Sequence, residues 1–228
     1  MKTTLYLGTD PTQFESHGQS EGHLVHYPVI QIVPRDFNDR QIKRAYDDLD
    51  EYTHFIFTSK NAVKVFAGHL SQMNKLVSDL QEKTVIAIGE VTAAHLAARG
   101  LPSSLVCQEE TQEGVIHVLN DLNLDDAYIF IPRSSLSRPV LVHYFKEREI
   151  RCQACDLYDT VPNRIEPKPD LSEVDEIVFT SPSTVTAFLE IFGALPIGKK
   201  CLAIGPVTES ALRAAHQESA LQNIYKKV

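Results

Sequence analysis

The sequence predicts an α/β fold of two domains, each a small parallel sheet flanked by helices, joined by a two-stranded β linker. Three observations predict it: an internal repeat, short apolar runs that alternate with helical periodicity, and two extended segments bounded by prolines. In the repeat, His54-Phe55-Ile56-Phe57-Thr58-Ser59-Lys60-Asn61-Ala62-Val63 matches Glu176-Ile177-Val178-Phe179-Thr180-Ser181-Pro182-Ser183-Thr184-Val185. Further on, Ala87-Ile88-Gly89-Glu90-Val91-Thr92 matches Ala203-Ile204-Gly205-Pro206-Val207-Thr208. Order and rough spacing agree, so the chain holds two copies of one β-turn-α-β-turn-α unit rather than a solenoid.

The runs 55–57 and 177–179 are continuous and apolar, as buried parallel strands are. Ser59 and Ser181 follow where helix N-caps belong, and Pro182 takes the favoured first helical position. Ala62, Val63, Phe66 and Leu70 then recur at helical spacing, as do Val185, Phe188, Leu189 and Phe192. The runs 85–88 and 201–204 are the next strands, ended by Gly89 and Gly205 with helices directly after. Further strands are expected at 4–7, 104–106, 128–131, 150–158 and 223–225, and further helices at 39–49, 111–119 and 137–146. That makes about five strands per half, an ordinary small sheet. The second repeat leaves too few strands for a sheet of its own and needs the N-terminal strand. Residues 1–33 and 163–228 then form one discontinuous domain, and 37–157 an inserted one. The linkers are 28–36 and 156–162, whose prolines favour extended backbone and whose pairing would make a hinge.

The 228 residues are 43% hydrophobic and 23% charged, which excludes a disordered, collagen-like or coiled-coil chain. A chain of this length buries about 70% of its unfolded surface and needs neither disulfide nor metal to fold. No apolar run approaches the roughly 20 residues of a membrane span. The first residues are too poor in apolar side chains for a signal peptide, so a soluble, cytoplasmic protein is expected. A net charge of −8 argues against nucleic-acid binding but allows a small anionic ligand at a locally positive cleft. Cys152-Gln-Ala-Cys155 lies in a strand-like stretch where residues three apart face opposite ways, so it reads as packed free thiols. Neither it nor the scattered histidines predict a metal site.

Four strand-to-helix turns carry Ser, Thr, Asn or Gly. Open α/β sheets bind ligands at the carboxyl ends of their strands, and free N–H groups at helix starts attract anions. Ser59 or Ser181 alone is more simply a helix cap. The recurrence of Thr92 and Thr208 is not explained by capping. Arg133 and Arg138, after the strand at 128–131, are candidates for a carboxylate or phosphate, or are solvated side chains. Neither glycine-rich nucleotide motif occurs, and no paired carboxylates or nucleophile-base pair stand out.

These motifs, with Ile131-Pro132-Arg133 and Leu157-Tyr158-Asp159-Thr160-Val161-Pro162, together resemble the uroporphyrinogen-III synthase family from about residue 5 to 225. The resemblance implies two flavodoxin-like domains on a β ladder, an active site in the cleft, and no cofactor. It implies conversion of hydroxymethylbilane to uroporphyrinogen III with ring-D inversion and loss of water. The implied partners are that substrate and, in passing, the preceding pathway enzyme, with the chain a monomer off membrane and nucleic acid. By motif match, Tyr158 is the expected hydrogen-bond or proton donor to the departing hydroxyl. Thr58, Ser59, Asn61, Gly89, Thr92, Arg133, Arg138, Ser181, Ser183, Gly205 and Thr208 are expected to bind substrate.

Three features depart from the family. Thr9-Asp10-Pro11 stands where Thr-Arg-Pro is usual, Ser134 follows Arg133 in place of Gly, and the chain stops soon after its last expected strand. An aspartate at position 10 repels a substrate carboxylate unless it faces away or pairs. Asp10 therefore keeps open a two-lobed, non-catalytic receptor for a small polyanion, and a phosphosugar-binding or isomerase domain is a third alternative.

Overall fold

The computed structural model describes residues 2–15 and 22–225. Its contacts divide the chain into two compact units, Met1–Gln31 with Thr160–Val228, and Ile32–Asp159. The first unit opens with β1 (Thr3–Tyr6), α1 (Thr12–Glu15) and β2 (His23–His26), and β3 (Ile30–Pro34) leads out of it. The second unit runs α2 (Arg40–Asp47), β4 (His54–Phe57), α3 (Lys60–Gln72), β5 (Thr84–Ala87), α4 (Glu90–Ala97) and β6 (Leu105–Val106). It continues through α5 (Gln112–Asn120), β7 (Tyr128–Ser134), α6 (Val140–Glu147) and the long β8 (Arg151–Pro162). The chain returns to the first unit with β9 (Glu176–Phe179), α7 (Pro182–Phe192), β10 (Lys200–Ala203) and α8 (Pro206–Tyr225).

In the first unit the sheet order is β10-β9-β1-β2, parallel throughout. β1 pairs with β9 at Thr4↔Glu176, so the N-terminal strand sits inside the sheet. Leu5, Leu7, Ile177 and Phe179 face α7, against Val185 and Phe188, while Tyr6 and Val178 face Phe14 on the other side.

In the second unit the order is β3-β8-β7-β4-β5-β6. The ladders from β8 to β6 are parallel. The β3–β8 pair is antiparallel: Arg35 N–H donates to Leu157 O and Asn163 N–H to Val29 O, so numbers rise along one strand as they fall along the other. Strand alternation divides the core in two. Phe55 and Phe57 pack with Tyr46, Tyr52, Phe66 and Phe130, whereas Ile56 joins Ile86, Ile129, Ile131 and Phe145.

The structure corrects several expectations. Among the described residues the strands number four and six in the two sheets, not five each. Residues 223–225 are the end of helix α8, not a strand. The helix expected from 137 starts at Val140, because Pro139 disfavours helical backbone at Arg138. β2, an edge strand with exposed histidines at both ends, has no buried run by which the sequence could reveal it. Among the described residues, no helix is long and apolar enough to cross a membrane.

Candidate active site

The second unit gathers its predicted residues at the carboxyl ends of β4, β5 and β7. After β4 the chain stays extended at Ser59 (φ −166°) and then enters α3. The Ser59 hydroxyl accepts the Ala62 N–H at 3.0 Å, as an N-cap does. It also lies 2.8 Å from the Tyr158 hydroxyl, and either oxygen of that pair can donate.

Tyr158 reaches Ser59 because β8 bulges. Along β8, Cys152 and Ala154 pack on one face of the sheet and Cys155 and Leu157 on the other. Regular alternation would return Tyr158 to the Cys152 face. Instead the register slips: Arg133 pairs with Asp156, but Ser134 pairs with Tyr158. The extra residue turns Tyr158 onto the same face as Leu157, toward α3; re-aiming a side chain in this way is a common use of bulges beside active sites. Tyr158 is 4% exposed. Burial raises its pKa above the usual phenol value, and the Ser59 hydrogen bond offsets only part of this. At neutral pH it is a neutral phenol with a proton to give.

Thr58, Arg133 and Arg138 line one small cavity of about 10 Å³, with Gln112, Ser137 and Leu141 also in its wall. Both guanidiniums are already engaged. Arg133 donates to Asp156 at 2.8 Å. Arg138 grips Glu113 through two bonds of 2.6 and 2.7 Å and holds that carboxyl at about 2. The sequence reading named neither acid, and nothing in local spacing ties Glu113 to a residue 25 positions on. Asn61 sits half-buried in the first turn of α3, and Thr92 is buried in that of α4. Gly89 starts α4, and the Glu110 carboxyl group occupies the space a side chain there would need.

The first unit holds the matching turns. Ser181 caps α7, accepting the Thr184 N–H at 3.3 Å, and its hydroxyl pairs with that of Ser183 at 2.8 Å. The Thr184 hydroxyl in turn accepts the N–H groups of Thr180 and Ser181. Thr208 is buried in the first turn of α8, and the space beside Gly205 is open, unlike that beside Gly89. Asp10 accepts both the N–H and the hydroxyl of Thr12, so it pairs locally at the start of α1.

A larger cavity, about 570 Å³, lies at the other end of the second sheet, among Tyr128, Arg148, Arg151 and neighbouring acids. None of the predicted site residues lines it. Cys152 and Cys155 are free thiols on opposite faces of β8, each pushed up to about 12 by burial. His23 and His26, three apart, lie at the two ends of β2. Among the described residues no group of three or more His, Cys, Asp or Glu could hold a metal ion.

Mostly parallel sheets with helix starts at their carboxyl ends, and a buried phenol beside one of them, define a helix-flanked α/β protein with polar side chains gathered at its strand ends. Comparison with known proteins gives the family. The model of uroporphyrinogen-III synthase HemD matches residues 12–222. A uroporphyrinogen-III synthase of Chlorobaculum parvum is 27% identical over 210 residues, covering 88% of this chain and 81% of that one. The porphyrin biosynthesis protein HemD of Ruminiclostridium josui is 23% identical over 191 residues; the match covers 82% of this chain but 38% of that longer protein. Among solved structures, uroporphyrinogen III synthase of Thermus thermophilus (a mutant form) superposes with a TM-score of 0.66 at 20% identity, over 95% of this chain and 90% of that one. The Helicobacter pylori enzyme gives 0.61 at 18%, over 94% and 89%. These structural likenesses bear on the fold. The chain belongs to the uroporphyrinogen-III synthase family, cyclising enzymes of haem biosynthesis.

Proposed function

We propose that the chain closes hydroxymethylbilane to uroporphyrinogen III, and that Tyr158 is the group that helps the hydroxyl depart. The observation that carries this is the buried Tyr158 hydroxyl, 2.8 Å from Ser59 at the start of α3. Loss of the substrate hydroxyl breaks one C–O bond, and the departing oxygen needs a hydrogen-bond or proton donor to leave as water. A phenol, neutral at pH 7 with or without burial, is such a donor. The azafulvene left behind is attacked by the substituted carbon of ring D; the spiro intermediate reopens and closes with that ring inverted. These later steps need orientation more than acid-base chemistry, and holding a flexible chain in a reactive geometry supplies several kcal/mol.

The substrate is a polycarboxylate. The N-terminal turns of α3, α4, α7 and α8 offer N–H groups and positive dipole ends for it, with Thr58, Asn61, Thr92, Ser183 and Thr208 beside them. Arg133 and Arg138 stand nearby but would first have to leave Asp156 and Glu113. Asp10 keeps its charge, and the reading has its contact with Thr12 hold it away from the substrate carboxylates. The same reading takes residues 1–33 with 163–228 and 37–157 as domains on linkers 28–36 and 156–162. It has the chain act as a cytoplasmic monomer without a cofactor, meeting the preceding enzyme in passing.

The test is an isomer assay, with hydroxymethylbilane generated in place and products oxidised and separated. Excess uroporphyrin III over isomer I is expected. Isomer I alone, from protein shown to be folded, overturns the reading. Tyr158→Phe is expected to lower kcat by about 10²-fold, the low end for a lost acid-base group, with KM little changed. Unchanged turnover removes Tyr158 from the chemistry.

A further inference from the structure

The residue after Tyr158 has three partners on the two strands that flank β8. Asp159 accepts from Arg35 Nε at 3.0 Å and from the same guanidinium's terminal nitrogen at 2.8 Å. It also accepts the Ser135 hydroxyl at 2.6 Å. Arg35 follows β3 and Ser135 follows β7. The same two residues hold the main chain of the bulge: Arg35 N–H donates to Leu157 O at 2.8 Å, and Ser135 N–H donates to Tyr158 O at 3.1 Å.

An Arg–Asp pair about a third exposed on each side adds little to stability, since solvent screens it. Its position is more telling. A bulge leaves a residue without its regular ladder partner, and here that happens at the residue pair that aims the phenol. We propose that Asp159, held by Arg35 and Ser135, is a positioning residue that fixes the bulged backbone and so keeps the Tyr158 hydroxyl on Ser59. This rests on the reading of Tyr158 as the donor. It gives the motif's aspartate a role that neither the repeat nor the substrate-binding turns supply.

A double-mutant cycle tests it. Asp159→Asn keeps the shape and removes the charge. Misplacing a reacting group by about 1 Å can cost about 10²-fold; for a partly loosened clamp we expect kcat to fall roughly tenfold, with KM changed by less than about twofold. Asp159→Asn added to Tyr158→Phe is expected to cause no further loss, because the clamp then has no hydroxyl to aim. If the aspartate change costs the same factor in both backgrounds, it acts on the structure at large and the proposal is overturned. Carbon-13 NMR of the tyrosine rings reads positioning apart from catalysis, with the Tyr158 signal assigned by its loss in Tyr158→Phe. That signal is expected to shift or broaden in Asp159→Asn; an unchanged signal overturns the proposal whatever the rates. If Tyr158→Phe turns over like wild type, the donor role fails while the ring signal still judges the clamp. Should Asp159→Asn not fold, Ser135→Ala leaves the Arg35 pair intact and carries the same cycle and spectrum.

Discussion

At the scale of single residues, the site depends on which polar atoms are already taken. The Ser59 oxygen accepts the Ala62 N–H and still has a lone pair and a proton for Tyr158. Arg133 and Arg138 are paired to neighbours that no local pattern announces, whereas Asp10 accepts from Thr12, two residues on. Two glycines show how packing decides what a position tolerates. A methyl group at Gly8 would meet the Thr180 methyl and the Tyr6 hydroxyl, both at 2.7 Å, and Tyr6 is 1% exposed. A methyl at Gly89 first meets the end of the Glu110 side chain, which is exposed. Gly8→Ala is therefore expected to cost about 1–3 kcal/mol, as overpacking does, and Gly89→Ala under about 1 kcal/mol. Urea unfolding of both checks this, and equal losses would contradict it. Both glycines stand in plain view in the sequence; what separates them is a long-range contact, so only Gly89 was singled out there.

At the scale of elements, the start of α7 is a small hydrogen-bonded assembly. Ser181 satisfies one N–H of α7, but the Thr184 hydroxyl accepts from two N–H groups and donates to the Ser181 carbonyl at 2.7 Å, fully buried. Ser181→Ala should cost about 1 kcal/mol, the usual loss of a cap. Thr184→Val keeps the shape and strands those groups, so about 1–3 kcal/mol is expected. Midpoints in the reverse order would show that the threonine hydroxyl is not what satisfies the turn. The strand runs at 55–57 and 177–179, and the caps after them, were legible because burial on both faces leaves an unbroken apolar run and Pro182 marks the first turn. Edge strand β2 was not, for want of a buried side chain, and residues 223–225 were misread because three residues carry no period. The bulge in β8 leaves only a faint mark, two apolar residues (Leu157-Tyr158) ahead of two polar ones (Asp159-Thr160), and the pairing with β7 is what shows the slip.

For the whole molecule, stability should fall with acid in two stages. His54 and His69 are held below their ordinary value of 6.5, each chiefly by burial. Glu113 and Asp159 are held at about 2 by Arg138 and Arg35. Each group takes up its proton at higher pH in the unfolded chain than in the folded one. Its contribution is thus complete above the unfolded pKa and is lost as pH falls toward the folded one. Urea midpoints should be level from about pH 7 to about pH 8, decline below that range as the histidines of the unfolded chain charge, and decline again from about pH 4 to about pH 2. The second decline should be small, since solvent screens both part-exposed pairs, and Glu113→Gln with Asp159→Asn should make it shallower; no change there would deny the pairs their role. The repeat predicted two copies of one unit, and the shortage of strands after residue 175 pointed back to the N-terminus, whose β1 does pair with β9. That return has a temporal meaning. Thr4 lies opposite Glu176, so β1 emerges from the ribosome 172 residues ahead of its neighbour. At about 5–20 residues per second, the nascent strand waits on the order of ten seconds or more while the intervening unit, complete in itself, has every residue it needs to fold. The order of synthesis therefore favours closing the inserted unit first, leaving the sheet that was begun earliest to be finished last.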